Sequence, residues 1–231
     1  MYNIERQEIN HLASLGYKWD YIFDIIKIFE GKISAYTGAP YVTVTDCCTH
    51  ALELSFRYLQ TKQKINKVSL PAYTYLSVPM MLKKLDIEFD LVDRNWQGYY
   101  RFEPTNIIDM AIRFTKDCYV PGSFSCLSFG SKKVLKILRG GAIMTDNKQA
   151  HEWLQKARYD GRDLTNVPWN TQKTFKIGYH YNLSIEDCAR GIIMMDELSK
   201  NGKINADSMT DAKLTYPDLS LSRYEFFDKG L

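Results

Sequence analysis

No run of about 18 apolar residues occurs anywhere in the sequence, which excludes a helix that crosses a bilayer. The opening residues, Met1-Tyr-Asn-Ile-Glu-Arg-Gln-Glu8, carry neither the basic start nor the apolar core of an export signal, and a cytoplasmic protein is expected. Cysteine is scarce. Five are present (Cys47, Cys48, Cys118, Cys126, Cys188), an odd number with no Cys-x-x-Cys pair, so neither a disulfide framework nor a zinc site is expected and the thiols are read as reduced. An excess of one charge is also missing. Thirty Lys and Arg against 27 Asp and Glu leave a net charge of +3, which implies neither a nucleic acid nor an anionic membrane as partner. Internal repeats and low-complexity linkers are absent too. What remains is 231 residues of ordinary globular composition, 45% hydrophobic and 25% charged, enough for one main domain with a sizeable core.

Apolar periodicity supplies the order of elements. Ile22, Ile25, Ile26, Phe29 and Ile33 recur at helical spacing and predict a helix over residues 19–33. Residues 41–45 read as a strand, 46–49 as a turn, and Leu52, Phe56 and Leu59 as one face of the next helix. Strands follow at 67–70 and 88–92 with a helix over 80–85 between them, then three more strands at 106–109, 123–129 and 141–145. A helix over 148–159 comes next, and another starts at Ser184, where Ser184 and Asp187 have capping-box spacing. Strands alternating with helices predict an α/β fold, a mostly parallel sheet with helices on both faces. Residues 165–174 read as a loop, and the polar tail after Lys200 as peripheral.

Three strand ends carry groups suited to chemistry. At Thr45-Asp-Cys-Cys-Thr-His-Ala-Leu52 a strand turns into a helix, and free N–H groups with the Thr49 hydroxyl form a phosphate seat. Thr49 fits equally well as a simple helix N-cap. Asp109 follows Ile107 and Ile108 at the end of a buried strand, where a carboxylate is costly unless it meets a cation such as a protonated pyridine nitrogen; a turn or capping role is the other reading. The third is the stretch Leu127-Ser-Phe-Gly-Ser-Lys-Lys-Val-Leu-Lys-Ile-Leu-Arg-Gly-Gly141. A lysine used for Schiff-base chemistry needs a partly desolvated cleft of this kind, but Lys132, Lys133, Lys136 and Arg139 also read as a solvated basic face.

Taken in order, these segments resemble the DegT/StrS-type nucleotide-sugar aminotransferases, a fold-type I family that uses pyridoxal 5'-phosphate (PLP). The resemblance spans residues 18–200 and rests on Asp46-Cys-Cys-Thr-His-Ala-Leu52, Pro71-Ala-Tyr-Thr-Tyr75, Asp109, and Ser128-Phe129 with Lys133 and Gly140-Gly141. It implies that Lys133 carries the cofactor, Asp109 pairs with the pyridine nitrogen, Thr49 and Ser128 hold the phosphate, Tyr75 covers the ring, and Cys48 belongs to the cofactor-binding turn. It also implies transfer of an amino group from glutamate or a similar donor to a nucleotide-linked keto-sugar, by a homodimer in which His180 reaches the partner's cofactor phosphate; a surface or interface histidine is the other, equal reading of His180. Members that dehydrate sugars carry histidine at the lysine position, unlike Lys133.

The departures from the family are specific. The connection between Asp93 and Asp109 is short, Ile112 replaces the usual glutamine, and Gly178-Tyr-His-Tyr-Asn182 puts His180 for Asn and Asn182 for Arg. The C-terminal small domain is reduced to a remnant at 201–231, after a PLP-binding domain over 1–200. A reduced, non-catalytic homologue acting as a binding or assembly module is the alternative these losses imply.

Overall fold

A computed structural model describes residues 6–163, 168–200 and 212–221. Helices α1 (Gln7–Ser14) and α2 (Asp24–Thr37) lead into strand β1 (Tyr41–Thr45), and α3 (Cys48–Gln60) follows at once. Next come β2 (Lys67–Pro71), α4 (Ser77–Lys84), β3 (Glu88–Val92), the two-residue β4 (Tyr100–Arg101), β5 (Ile107–Asp109), β6 (Phe124–Ser128) and β7 (Gly141–Thr145). Helices α5 (Lys148–Ala157), α6 (Ile185–Lys200) and the short α7 (Ala212–Thr215) complete the described chain. The loop expected at 165–174 lies partly outside the described residues; Trp169–Thr171 forms one 3-10 turn.

The strands form a five-stranded sheet in the order β1-β7-β6-β5-β4 and a β2-β3 pair. Two hydrogen bonds join them, because Ser69 and Glu103 exchange N–H and carbonyl groups at 2.8 and 3.1 Å. The short connection after Asp93 therefore does more than link two strands: it fills the space between β2 and β5.

The expectation of a mostly parallel sheet needs correction. Only β5–β6 and β2–β3 pair in parallel, whereas β1–β7, β6–β7 and β4–β5 are antiparallel. A parallel pair needs a crossover of about a dozen residues or more, normally a helix. The five residues between β4 and β5 are too few for one, so β4 runs backwards; residues 110–123 make the parallel crossover from β5 to β6 without a helix, and residues 129–140 fold back to bring β7 in antiparallel. The other five strands share one direction, and their C-terminal ends gather on one edge.

Helices cover both faces, as expected. Alternation along the strands divides the side chains: Val42, Val44, Ile108, Leu127, Ala142 and Met144 pack with α1, α2 and α6, while Ile107, Phe124, Cys126 and Ile143 pack with α3, α4 and α5. Burying such residues contributes about 25 cal/mol per Å² of apolar surface removed from water. A buried ion pair crosses this interior. Arg158, only 1% exposed, donates to Glu30 Oε1 at 2.5 Å and to the Val44 carbonyl at 2.7 Å, and Glu30 in turn accepts the Val44 N–H at 2.9 Å.

The helix ends follow from local chemistry. Gly38, at φ +77°, ends α2 and returns its N–H to the Ser34 carbonyl. At α6, Ser184 Oγ accepts the Asp187 N–H at 3.0 Å, as the spacing predicted. At α3 the cap is Cys47, whose extended backbone and sulfur, accepting the His50 N–H at 3.4 Å, close the first turn. Thr49 is therefore not the N-cap; it stands inside the first turn.

Candidate active site

A cavity of about 720 Å³ opens at the edge where β1, β5 and β6 end. Crevices at the carboxyl ends of strands are where open α/β sheets bind ligands. Cys48, Thr49, Tyr75, Asp109, Ser128 and Lys133 all line it. Six of the seven residues named from the sequence thus come together; His180 does not.

Asp109 is buried at the cavity wall, 4% exposed. Its Oδ2 accepts the Tyr100 hydroxyl at 2.9 Å and its Oδ1 the Ala111 N–H at 2.9 Å. Tyr100 in turn accepts from Thr74 Oγ1 at 2.7 Å, because its own proton is committed to the carboxylate. Burial raises the Asp109 pKa above the usual carboxylate value, while the Ala111 N–H, the Tyr100 hydroxyl and the charge of Lys133 pull against it. Burial also pushes the Cys48 thiol well up, reinforced by Asp109, so Cys48 is a neutral thiol against the seat.

The loop between β6 and β7 presents the lysines. Lys133 is half-buried and lines the cavity; Lys132 also borders it but is exposed, and Lys136 is exposed and outside it. Val134, Leu135 and Ile137 turn into the core and fix the loop from below. A Cβ placed on Gly130 would lie 3.8 Å from Ser128 Oγ and 3.9 Å from Lys133 Cγ, so the hydroxyl and the lysine stem flank the same point.

The glycine pair that ends this loop has a steric cause. Gly140 has φ +128°, and a Cβ on Gly141 would stand 2.6 Å from the Cys47 carbonyl carbon and the Cys48 nitrogen. The start of β7 thus presses directly on the first turn of α3. Thr49 Oγ1 lies 2.6 Å from Ser77 Oγ, and the N–H groups of Cys48 and Thr49 precede the intrahelical ladder.

Beside this seat Arg139 Nη2 donates to Asp46 Oδ2 at 2.9 Å, and His50 Nδ1 meets Asp46 Oδ1 at 2.6 Å while its ring stacks on Tyr181 at 3.6 Å. Asp46, Cys47 and His50 have ligand atoms within 4.8 Å of one another. The two cations already on Asp46 occupy the charge a metal ion would use.

A family model of the DegT/DnrJ/EryC1/StrS aminotransferases matches residues 4–109 and 120–210, most of the chain. The chain belongs to this family. Among solved structures, AtS13 from Actinomadura melliaura is similar at TM-score 0.68 and 16% identity, over 84% of this chain and 65% of that one. The sugar aminotransferase CalS13 from Micromonospora echinospora has TM-score 0.67 and 15% identity over 87% and 67%, and a GDP-4-keto-6-deoxymannose-3-dehydratase has 0.63 and 15% over 87% and 68%. This DegT/StrS-type chain therefore spans about two thirds of the length of its structural neighbours. No curated protein matches it in sequence.

PLP is the cofactor of this family, and the cavity fits it: a buried carboxylate for a protonated ring nitrogen, an amine on the facing loop, and hydroxyls with a helix N-terminus for a phosphate. Ile112, where the family has glutamine, is buried against the cavity and offers it an apolar wall.

His180 lies elsewhere. Its side chain is 78% exposed and its Nδ1 meets Asp160 at 3.1 Å. Sequence reasoning gave no role to Tyr100, Ser77 or Tyr216, all of which belong to the site or hold it. Tyr100 and Phe102 alternate inward beside β5, a pattern too short to be read as a strand. The tail after Lys200 is not peripheral throughout, since Thr215, Tyr216 and Pro217 line the cavity.

Proposed function

We propose that this chain is a PLP-dependent aminotransferase that moves an amino group from glutamate or a similar donor to a nucleotide-linked keto-sugar. One observation carries the reading: a desolvated Asp109 held by Tyr100 and Ala111, in the same cavity as a half-buried Lys133. The acceptor class follows the neighbours, which include a sugar aminotransferase and DesI in the presence of its TDP-sugar product.

In this reading Thr49, Ser128 and the first N–H groups of α3 hold the phosphate, and Tyr75, 64% exposed on the cavity rim, covers the ring. Asp109 keeps the proton on the ring nitrogen, because burial makes an unpaired carboxylate costly and a cationic partner favourable. PLP, when bound, supplies an electron sink for the substrate carbon. Lys133 carries the cofactor and then moves the proton at that carbon. The shell of Ile107, Cys126 and Ile143 beneath the site keeps water from the base of the cavity.

Colour tests the proposal. The purified protein, supplied with PLP, should turn yellow by absorbing violet-blue light, and borohydride should bleach it and leave the cofactor on Lys133. A protein that stays colourless and ignores added PLP refutes the enzyme and leaves the binding module.

A further inference from the structure

The open side of the cavity is walled by residues far from the rest of the site in sequence. Residues 212–221 are anchored at both ends. The buried Ala212 donates its N–H to the Trp96 carbonyl at 3.2 Å, and Leu219, also buried, donates to the Ala72 carbonyl at 3.0 Å. Lys213 pairs with Asp93 at 2.8 Å, and the Tyr73 hydroxyl reaches Asp218 Oδ2 at 3.4 Å. Between these anchors Tyr216 faces the cavity.

Its ring is held in place. Tyr216 stacks on Trp96 at 6.0 Å and 18°, and Trp96 is itself fixed by its Nε1–H to the Tyr73 carbonyl at 2.7 Å and by edge contact with Tyr100 at 4.8 Å. Tyr216 shares the cavity lining with Asp109, Cys48 and Tyr75, and burial first, then the charges of these groups, raise its pKa, so it remains a neutral hydroxyl. The anchors Ala72 and Tyr73 belong to the loop that presents Tyr75. One bracket therefore holds two aromatic rings at the same opening, with a buried carboxylate between the loops that form it.

We propose that Tyr216 contacts the cofactor ring and forms a second aromatic wall of its cleft, which makes residues 212–221 part of the cofactor site. This rests on the reading of the cavity as a PLP site. A flat, electron-poor pyridine ring is the ligand that two aromatic side chains and a deep carboxylate accept together. The ring of Tyr216 does the work, and its hydroxyl adds little.

Titration of the full-length apo protein with PLP, read by absorbance, tests this. Tyr216→Ala should weaken the dissociation constant about tenfold, the size of one aromatic contact, and Tyr216→Phe should leave it within about twofold. Leu214→Ala, on the same segment but 83% exposed and off the cavity, should match wild type. A second measurement needs no substitution: hydroxyl-radical oxidation of Tyr216, mapped by peptide mass, should slow at least about fivefold when PLP is bound. Wild-type protein that fixes PLP on Lys133 while Tyr216→Ala keeps full affinity, or while oxidation of Tyr216 is unprotected, overturns the proposal alone. Wild-type protein that takes up no PLP overturns it together with the function proposed above.

Discussion

The Tyr100 hydroxyl donates a hydrogen bond to Asp109 Oδ2 across 2.9 Å, and both side chains are buried, Asp109 at the wall of the cavity. Among the described residues this hydroxyl and the Ala111 N–H are the two donors to that carboxylate. Tyr100→Phe should raise the Asp109 pKa further, move the acid limb of the activity profile to higher pH and cost about 1–2 kcal/mol of stability. The pH dependence of turnover, with a urea titration beside it, checks both; an unmoved acid limb would show that Tyr100 is packing alone.

Lys133 differs from its neighbours by burial, so the three lysines should separate cleanly. Lys133→Ala should lose the borohydride-stable cofactor, and Lys132→Ala and Lys136→Ala should retain it. Peptide mass mapping after reduction reads the outcome, and label found on another lysine contradicts the assignment.

His50 makes stability depend on pH. Burial alone would lower its pKa, but the bonds to Asp46 and Cys47 outweigh that and push it up to about 9. An unfolded histidine titrates near ~6.5, so the stabilisation is fully present below that pH and is lost as pH rises through about 9. Urea unfolding should show a fall of about 1–3 kcal/mol across this window, and His50→Gln should flatten it.

Arg158 and Glu30 are a buried pair, and removing one partner strands the other. Arg158→Met should cost about 3–5 kcal/mol, more than the loss of any exposed pair such as Lys27 with Asp24. Thermal unfolding of the two variants compares them directly.

We propose that His180, 78% exposed and not among the residues that line the cavity of its own chain, acts across a two-fold interface. His180→Ala should weaken PLP retention without changing the unfolding midpoint, and mixing it with Lys133→Ala should restore one working site per mixed dimer. A monomer by sedimentation that holds PLP tightly would dispose of the idea.

Much of this was legible in the sequence because strong apolar patterns mark the elements that carry the site. Ile107 and Ile108 before Asp109, and the run from Leu127 to Gly141, placed the acid and the lysine loop correctly at strand ends. Strand direction was not legible. Nothing in Tyr100-Arg101 or in 141–145 states which way a strand runs, and the lack of a helix does not decide it, since none precedes β6 either and β6 is parallel to β5. The tail failed for a different reason: Tyr216 is one aromatic residue in a polar stretch, and its place depends on Trp96 and Ala72, more than a hundred residues earlier. Thr49 was open to two readings because a cap is decided by backbone angles, and those belong to Cys47.

The contact of Gly141 with the backbone at Cys47 and Cys48 has a consequence for how this site can change. The gap between the phosphate seat and the lysine loop is gauged by main chain pressed on main chain, so no exchange of side chains there can narrow it, and any side chain added at Gly141 must force the two apart. Variation in what the cavity accepts is left to its rim, where Tyr75 and Tyr216 stand on a bracket that can be altered without disturbing the spacing beneath.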